Sequence, residues 1–152
     1  MIYSAGLAMT RTVVTRTISA PVDRVFDAVA HIDRFSQVVE DIVRVDYVSE
    51  QKRGVGTRFR ETRRMNGKEA TVELEVTEYI ENDRVRLVAD SHGTVWDTLF
   101  TVSASGGETT LTMTMDARAH KLLPKLINPL IKGMVRKGVE KDMDAVKAFC
   151  ER

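Results

Sequence analysis

The clearest alternation of apolar and polar positions lies in the middle of the chain. Within residues 69–80, Ala70, Val72, Leu74 and Val76 take one parity, while Thr71, Glu73, Glu75 and Thr77 take the other. Side chains two apart on an extended strand share a face, so this pattern predicts a strand with one buried side and one wet side. Trp96, Thr98, Phe100 and Val102 repeat it within residues 94–104, and Leu111, Met113 and Met115 repeat it against Thr110, Thr112 and Thr114. Further strands are expected at residues 10–19, 42–49, 57–64 and 84–91, each rich in Val, Thr or alternating apolar positions. Between them lie short turn segments: Gly54-Val55-Gly56, Asn66-Gly67, Glu81-Asn82-Asp83, His92-Gly93 and Ser105-Gly106-Gly107. Asn66-Gly67 is the strongest hairpin signal, because both residues accept positive φ. Successive strands joined this tightly predict an antiparallel meander.

Elsewhere the period changes to that of a helix. Val22, Val25, Phe26 and Val29 recur at helical spacing after Pro21, with Asp23 and Asp27 on the polar side. Pro21 is expected in the first turn, where its missing N–H costs nothing. A second short helix is expected over residues 33–40. Near the C-terminal end Leu123, Ile127, Leu130, Met134, Met143 and Val146 fall near one side of a helix. Lys121, Lys125, Lys132 and Arg136 fall near the other side, at about 100° per residue. Asn128-Pro129 reads as an N-cap followed by the first helical position. Gly133 and Gly138 lower the helix propensity, which is compatible with a close approach to the sheet, room for a ligand, or a simple bend. The order is therefore one strand, two short helices, six strands and one long helix. Such a helix can lie across a curved sheet and leave an apolar hollow between them.

Size and charge narrow the picture. A chain of 152 residues is long enough for one domain with a real core. With 43% hydrophobic and 30% charged residues it has the composition of a soluble globular protein. A net charge of +1 argues against a surface built for nucleic acid. Cys150 is the only cysteine, so no internal disulfide can form, and a cytoplasmic location is expected. There is no apolar run near the roughly 18 residues of a membrane span. Residues 1–9 lack the basic and long apolar regions of a signal peptide. They read as a poorly ordered N-terminal extension to a domain over residues 10–152, with Met1 and Met9 both eligible as the start.

No catalytic motif is present. His31, His92 and His120 are far apart, without an HExxH pattern or a cysteine pair, so neither a metal site nor a cofactor is expected. The chain has no G-x-S-x-G elbow, and Gly54-Val55-Gly56 leads into a strand rather than a helix, unlike a dinucleotide loop. Cys150 has no evident base nearby and reads as a buried or idle thiol.

Two stretches carry a family resemblance. The run Ser19-Ala20-Pro21-Val22-Asp23-Arg24-Val25-Phe26, followed by Ile32-Asp33-Arg34-Phe35, resembles the opening of the START-like superfamily, also called the Bet v 1-like or SRPBCC group. Within it the bacterial polyketide cyclase/dehydrase branch is most similar. The Gly54-x-Gly56-Thr57 turn, the Gly107-Glu108-Thr109-Thr110-Leu111 strand entry and the final helix also fit, so the resemblance spans roughly residues 10–152. One departure is Phe35-Ser36-Gln37-Val38, where such proteins often carry Tyr-Pro-x-Trp. The resemblance implies an α+β helix-grip fold: a seven-stranded curved antiparallel sheet around a long C-terminal helix, with two short helices after the first strand and an internal cavity.

On that fold Phe26, Phe59, Leu87, Trp96, Met113, Met115, Leu130 and Met134 become candidate ligand-binding residues. Methionine adapts to varied ligands, although the same residues could form a filled core. Asp90 and His92 have the opposite parity to Leu87 and Ala89, so they are expected to face solvent. Arg58 and Arg60, which flank Phe59, are expected outside too, with Glu61 and Arg63 at the rim. Residues 117–139 hold six Lys or Arg and no Asp or Glu. That basic face is either a solvated exterior or a transient contact with anionic membrane through Lys121, Lys125, Lys132 and Arg136. The expected function is binding of a hydrophobic small molecule, lipid- or polyketide-like. The alternatives are a cyclase or dehydrase acting on a polyketide-like substrate, and a lipid-transfer module. Nothing in the sequence marks the oligomeric state.

Overall fold

The computed structural model describes residues 9–120 and 129–152. Ten elements follow in chain order: β1 (Met9–Ile18), α1 (Val22–Ala30), α2 (Ile32–Val38), β2 (Ile42–Tyr47), β3 (Arg58–Met65), β4 (Lys68–Ile80), β5 (Arg84–Ser91), β6 (Thr94–Ser105), β7 (Glu108–Ala119) and α3 (Pro129–Cys150). The strands form one antiparallel sheet in the order β1-β7-β6-β5-β4-β3-β2. This is the helix-grip architecture expected from the sequence. Several boundaries differ slightly: α2 covers Ile32–Val38 where residues 33–40 were expected, and β2 stops at Tyr47 where the strand was expected to reach residue 49. Met9 already pairs with Arg118, and Pro21 stands one position ahead of α1, its carbonyl accepting from the N–H groups of Arg24 and Val25. The expected elements at residues 1–8 and 121–128, Asn128 among them, lie outside the described residues.

Turn chemistry fixes the meander. Asn66 (φ 54°) and Gly67 (φ 76°) both occupy the left-handed region that the two-residue hairpin between β3 and β4 requires. One irregularity matters for the interior. In β4 the register against β5 shifts between Val76 and Glu78, so that Val76 faces Leu87 but Tyr79 faces Val85. An added residue in one strand reverses the parity beyond it. Tyr79, rather than charged Glu78, therefore takes the inner face, and its ring meets Phe26 edge-on at 5.5 Å.

The tightest core joins β1, β7, α1 and α3. Ile18, Val25, Leu111, Met143 and Val146 are all fully buried there. Thr109, also fully buried, donates its hydroxyl to the Ala20 carbonyl at 2.7 Å and ties the start of β7 to the chain leaving β1. α3 runs beside β1, an edge strand. Lys147 Nζ donates to Thr17 O at 2.6 Å, Arg136 Nη1 donates to Val13 O at 3.4 Å, and Arg16 pairs with Asp144 at 2.6 Å. Edge carbonyls are thus occupied by α3 side chains instead of standing open to another strand. Among the described residues no helix is long and apolar enough to cross a membrane.

Candidate functional site

A hollow of about 490 Å³ lies between the curved sheet and the helices. Its floor is the inner parity of the meander, including Phe59, Leu74, Leu87, Ala89, Trp96, Phe100, Met113 and Met115. Val29, Ile32 and Phe35 of α1 and α2 close one end, and Ile131, Val135 and Val139 of α3 form the roof. A second hollow of about 590 Å³ shares Val72, Trp96, Met115, Ile131 and Val135 with the first, and reaches Thr10, Thr12 and His92.

Six of the eight candidate ligand-binding residues border the first hollow: Phe59, Leu87, Trp96, Met113, Met115 and Met134. Met134 stands at its mouth, 60% exposed. The other two differ from expectation. Phe26 is buried in the core against Tyr79 and does not line the hollow. Leu130 is 72% exposed and points away from the sheet. The reason is helical phase. Ile131, Val135, Val139 and Val146 set the inward side of α3, and Leu130 lies about 100° round from Ile131. The same phase decides the basic residues. Lys132 borders the second hollow and Arg136 reaches β1, while Lys121 and Lys125 lie outside the described residues. Gly133 and Gly138 are exposed, and a Cβ added to either would meet nothing within 4 Å, which rules out close approach to the sheet as their purpose.

The polar wall of the hollow is a trio joining β3 to α3. Arg63 Nε donates to Glu61 Oε2 at 2.8 Å, and Arg63 Nη1 reaches Asp142 Oδ2 at 3.0 Å. Only 22%, 13% and 8% of the Arg63, Glu61 and Asp142 side chains is exposed. All three border the hollow, rather than Glu61 and Arg63 marking an outer rim. Burial pushes the Asp142 carboxyl above its ordinary range, against the pull of Arg63. Burial also works against the Arg63 charge, but Glu61 and Asp142 outweigh it and hold the guanidinium more firmly protonated. Asp142 was missed in the sequence. Its signal was a carboxylate at helical spacing from Val135, Val139 and Val146, on the apolar side of an amphipathic helix.

At the opposite end Arg53 borders the hollow and pairs with Asp33 of α2 at 2.8 Å, fastening the β2–β3 loop to that helix. The Arg53 hydrogen bond holds the Asp33 carboxyl below its ordinary range. Nearby, His31 is buried between α1 and α2, and its Nδ1 has no hydrogen-bond partner among the described residues. Burial, then Arg53, pushes its pKa down, so the imidazole is neutral at pH 7. Tyr47 Oη is likewise buried without a partner, and burial pushes its pKa up.

The remaining polar candidates form no site of their own. Arg58 and Arg60 face outward onto Glu73, at 2.8 and 3.4 Å. Asp90 faces outward and pairs with His120 at 2.8 Å, not with His92. His92 is exposed in a left-handed turn conformation (φ 53°) and contacts Ser91 Oγ at 2.8 Å. Cys150 is buried, and burial pushes its thiol up, away from the reactive thiolate. Among the described residues no three metal-ligating side chains converge.

The match to known families spans nearly the whole chain. The family model described as "Polyketide cyclase / dehydrase and lipid transport" covers residues 9–151. The chain belongs to that family. Its fold is that of START and Bet v 1-like proteins. The Zhui aromatase/cyclase of a Streptomyces species superposes with a TM-score of 0.80 at 16% identity, covering 95% of each chain. A START superfamily protein from Mycobacterium smegmatis gives 0.77 at 15% identity, over 93% of this chain and 97% of the other. Norcoclaurine synthase from Thalictrum flavum, in complex with dopamine and hydroxybenzaldehyde, gives 0.74 at 9% identity, over 96% and 88%. At such identities these likenesses speak for the fold alone. No curated protein sequence matches significantly.

Proposed function

We propose that this member of the family binds a hydrophobic small molecule, lipid- or polyketide-like, in the hollow between sheet and α3. The observation that carries the reading is an enclosure of about 490 Å³ with an apolar floor and a single buried charged trio, Glu61–Arg63–Asp142, among its walls. Small-molecule sites have this composition: apolar area supplies affinity and a few polar groups fix orientation. Burying ligand surface contributes roughly 25 cal/mol per Å² before the costs of association. The trio gives the ligand one polar end. Trp96 offers a flat wall, and Met113 and Met115 adapt to its shape.

Ala89 provides the test. It is buried, on β5, and lines the hollow. Ala89→Phe directs a ring into the empty space. It is expected to leave the protein folded and to lower uptake of the neutral dye phenylnaphthylamine roughly ten-fold, about 1.4 kcal/mol. Unchanged uptake by a folded Ala89→Phe protein would count against the site.

Asp142 supports a second reading, in which the bound molecule is also transformed. Burial pushes its carboxyl above the ordinary range, and it faces the hollow, where a carboxyl can exchange a proton with a bound molecule. A molecule that copurifies with the protein, identified by native mass spectrometry, is the substrate to try. On this reading Asp142→Asn retains the molecule and loses its conversion. No conversion by the unaltered protein leaves binding alone.

A further inference from the structure

The mouth of the hollow has a surface chemistry of its own. Met65, at the tip of the β3–β4 hairpin, and Met134, on α3, both border the hollow, yet they are 49% and 60% exposed. Leu130, one turn before Met134 on the same outward stripe, is 72% exposed. Two large apolar side chains therefore stand in water at the opening, and a third stands in water one turn away on α3.

The charges beside them are unequal. Three acids of the neighbouring surface already have a basic partner: Glu69 pairs with Arg64, Glu140 with Arg136 at 3.8 Å, and Asp41 with Lys141 at 3.0 Å. Lys68, beside Met65, and Lys137, on the same outward stripe as Leu130 and Met134, are exposed and have no ion-pair partner among the described residues. The chain from 117 to 139 contains no Asp or Glu at all. The rim is apolar at its edge and positive around it.

We infer that this mouth docks on an anionic lipid surface, with Met65, Leu130 and Met134 entering the interfacial layer and Lys68 and Lys137 meeting the headgroups. The combination of inserted apolar side chains and surrounding lysines is what holds a peripheral protein on anionic membrane. A stable protein partner would instead need a packed patch of roughly 800 Å² on each side. Here the apolar groups stand at and beside an opening, an arrangement that a fluid surface can follow. Docked in this way, the hollow opens onto the bilayer, so an apolar ligand could pass between the two without crossing water. The docking stands on surface chemistry and does not require the hollow to be filled.

The test is flotation of the full chain with vesicles of phosphatidylcholine alone and of phosphatidylcholine mixed with phosphatidylglycerol. Binding to the mixed vesicles is expected, weakening as salt rises. The double variant Lys68→Gln/Lys137→Gln is expected to partition roughly 25-fold less, since each lysine near the surface contributes about a five-fold factor. Met65→Ser/Met134→Ser is expected to weaken binding as well. No binding to the mixed vesicles, equal binding to both vesicle types, or no loss in the lysine variant overturns the proposal. Phenylnaphthylamine uptake in vesicle-free solution separates this from the cavity reading. A lysine variant that loses vesicles but keeps dye uptake supports docking. Vesicle binding without any dye uptake also supports docking, and overturns only the cavity reading.

Discussion

The two halves of α3 share one helix and do opposite work. From Val139 to the end, Val139, Met143, Val146 and Cys150 are buried, and Lys147 and Asp144 fasten the outer side to β1. Before Val139, Leu130 and Met134 are in solvent, two glycines face open space, and the inner side roofs a hollow instead of filling a core. One half grips the sheet and the other bridges a gap. The contrast shows how a protein can keep a cavity. The stability missing at the open end is supplied at the closed end of the same element, so the space need not collapse.

Four substitutions break or sharpen this contrast. The largest effect is expected at the seam between the halves. Arg63→Met leaves the Glu61 and Asp142 carboxylates buried without their partner, and should cost about 3–5 kcal/mol in urea unfolding. A loss below about 1 kcal/mol would mean that the trio is solvated and behaves as a surface pair. Next comes a matched pair of truncations. Met143→Ala, in the closed half, should cost about 2–5 kcal/mol, whereas Met134→Ala should stay within about 0.5 kcal/mol. Equal costs would erase the distinction. The smallest effect has the opposite sign. Gly138→Ala places a methyl where nothing lies within 4 Å, so it should stabilise by about 1 kcal/mol through helix propensity alone. Destabilisation on thermal melting would mean that the glycine is needed for packing after all.

Much of the fold was legible because its signals are local. Alternation along β4, β6 and β7, the Asn66-Gly67 turn and the apolar face of α1 each depend on near neighbours in sequence. The sheet face of the hollow followed from the same parity, which is why Phe59, Leu87, Trp96, Met113 and Met115 were found together. The helix face was harder to read. A 3.6-residue period gives a stripe but leaves its phase uncertain when apolar residues are as dense as Leu130, Ile131, Met134, Val135 and Val139. Contact with the sheet chose Ile131 and Val135 over Leu130.

By itself the sequence determined the element order, the antiparallel meander and the apolar character of the inner face, because hydrophobic periodicity and turn residues encode these over a few positions. Tertiary structure decided where polar groups meet. Arg63 and Asp142 are 79 residues apart, and only the packing of α3 over the curved sheet brings them into one ion pair. The β4 bulge that turns Tyr79 inward and the rotation that leaves Leu130 in water are of the same kind. Each depends on which surface an element packs against, and no short-range pattern carries that information.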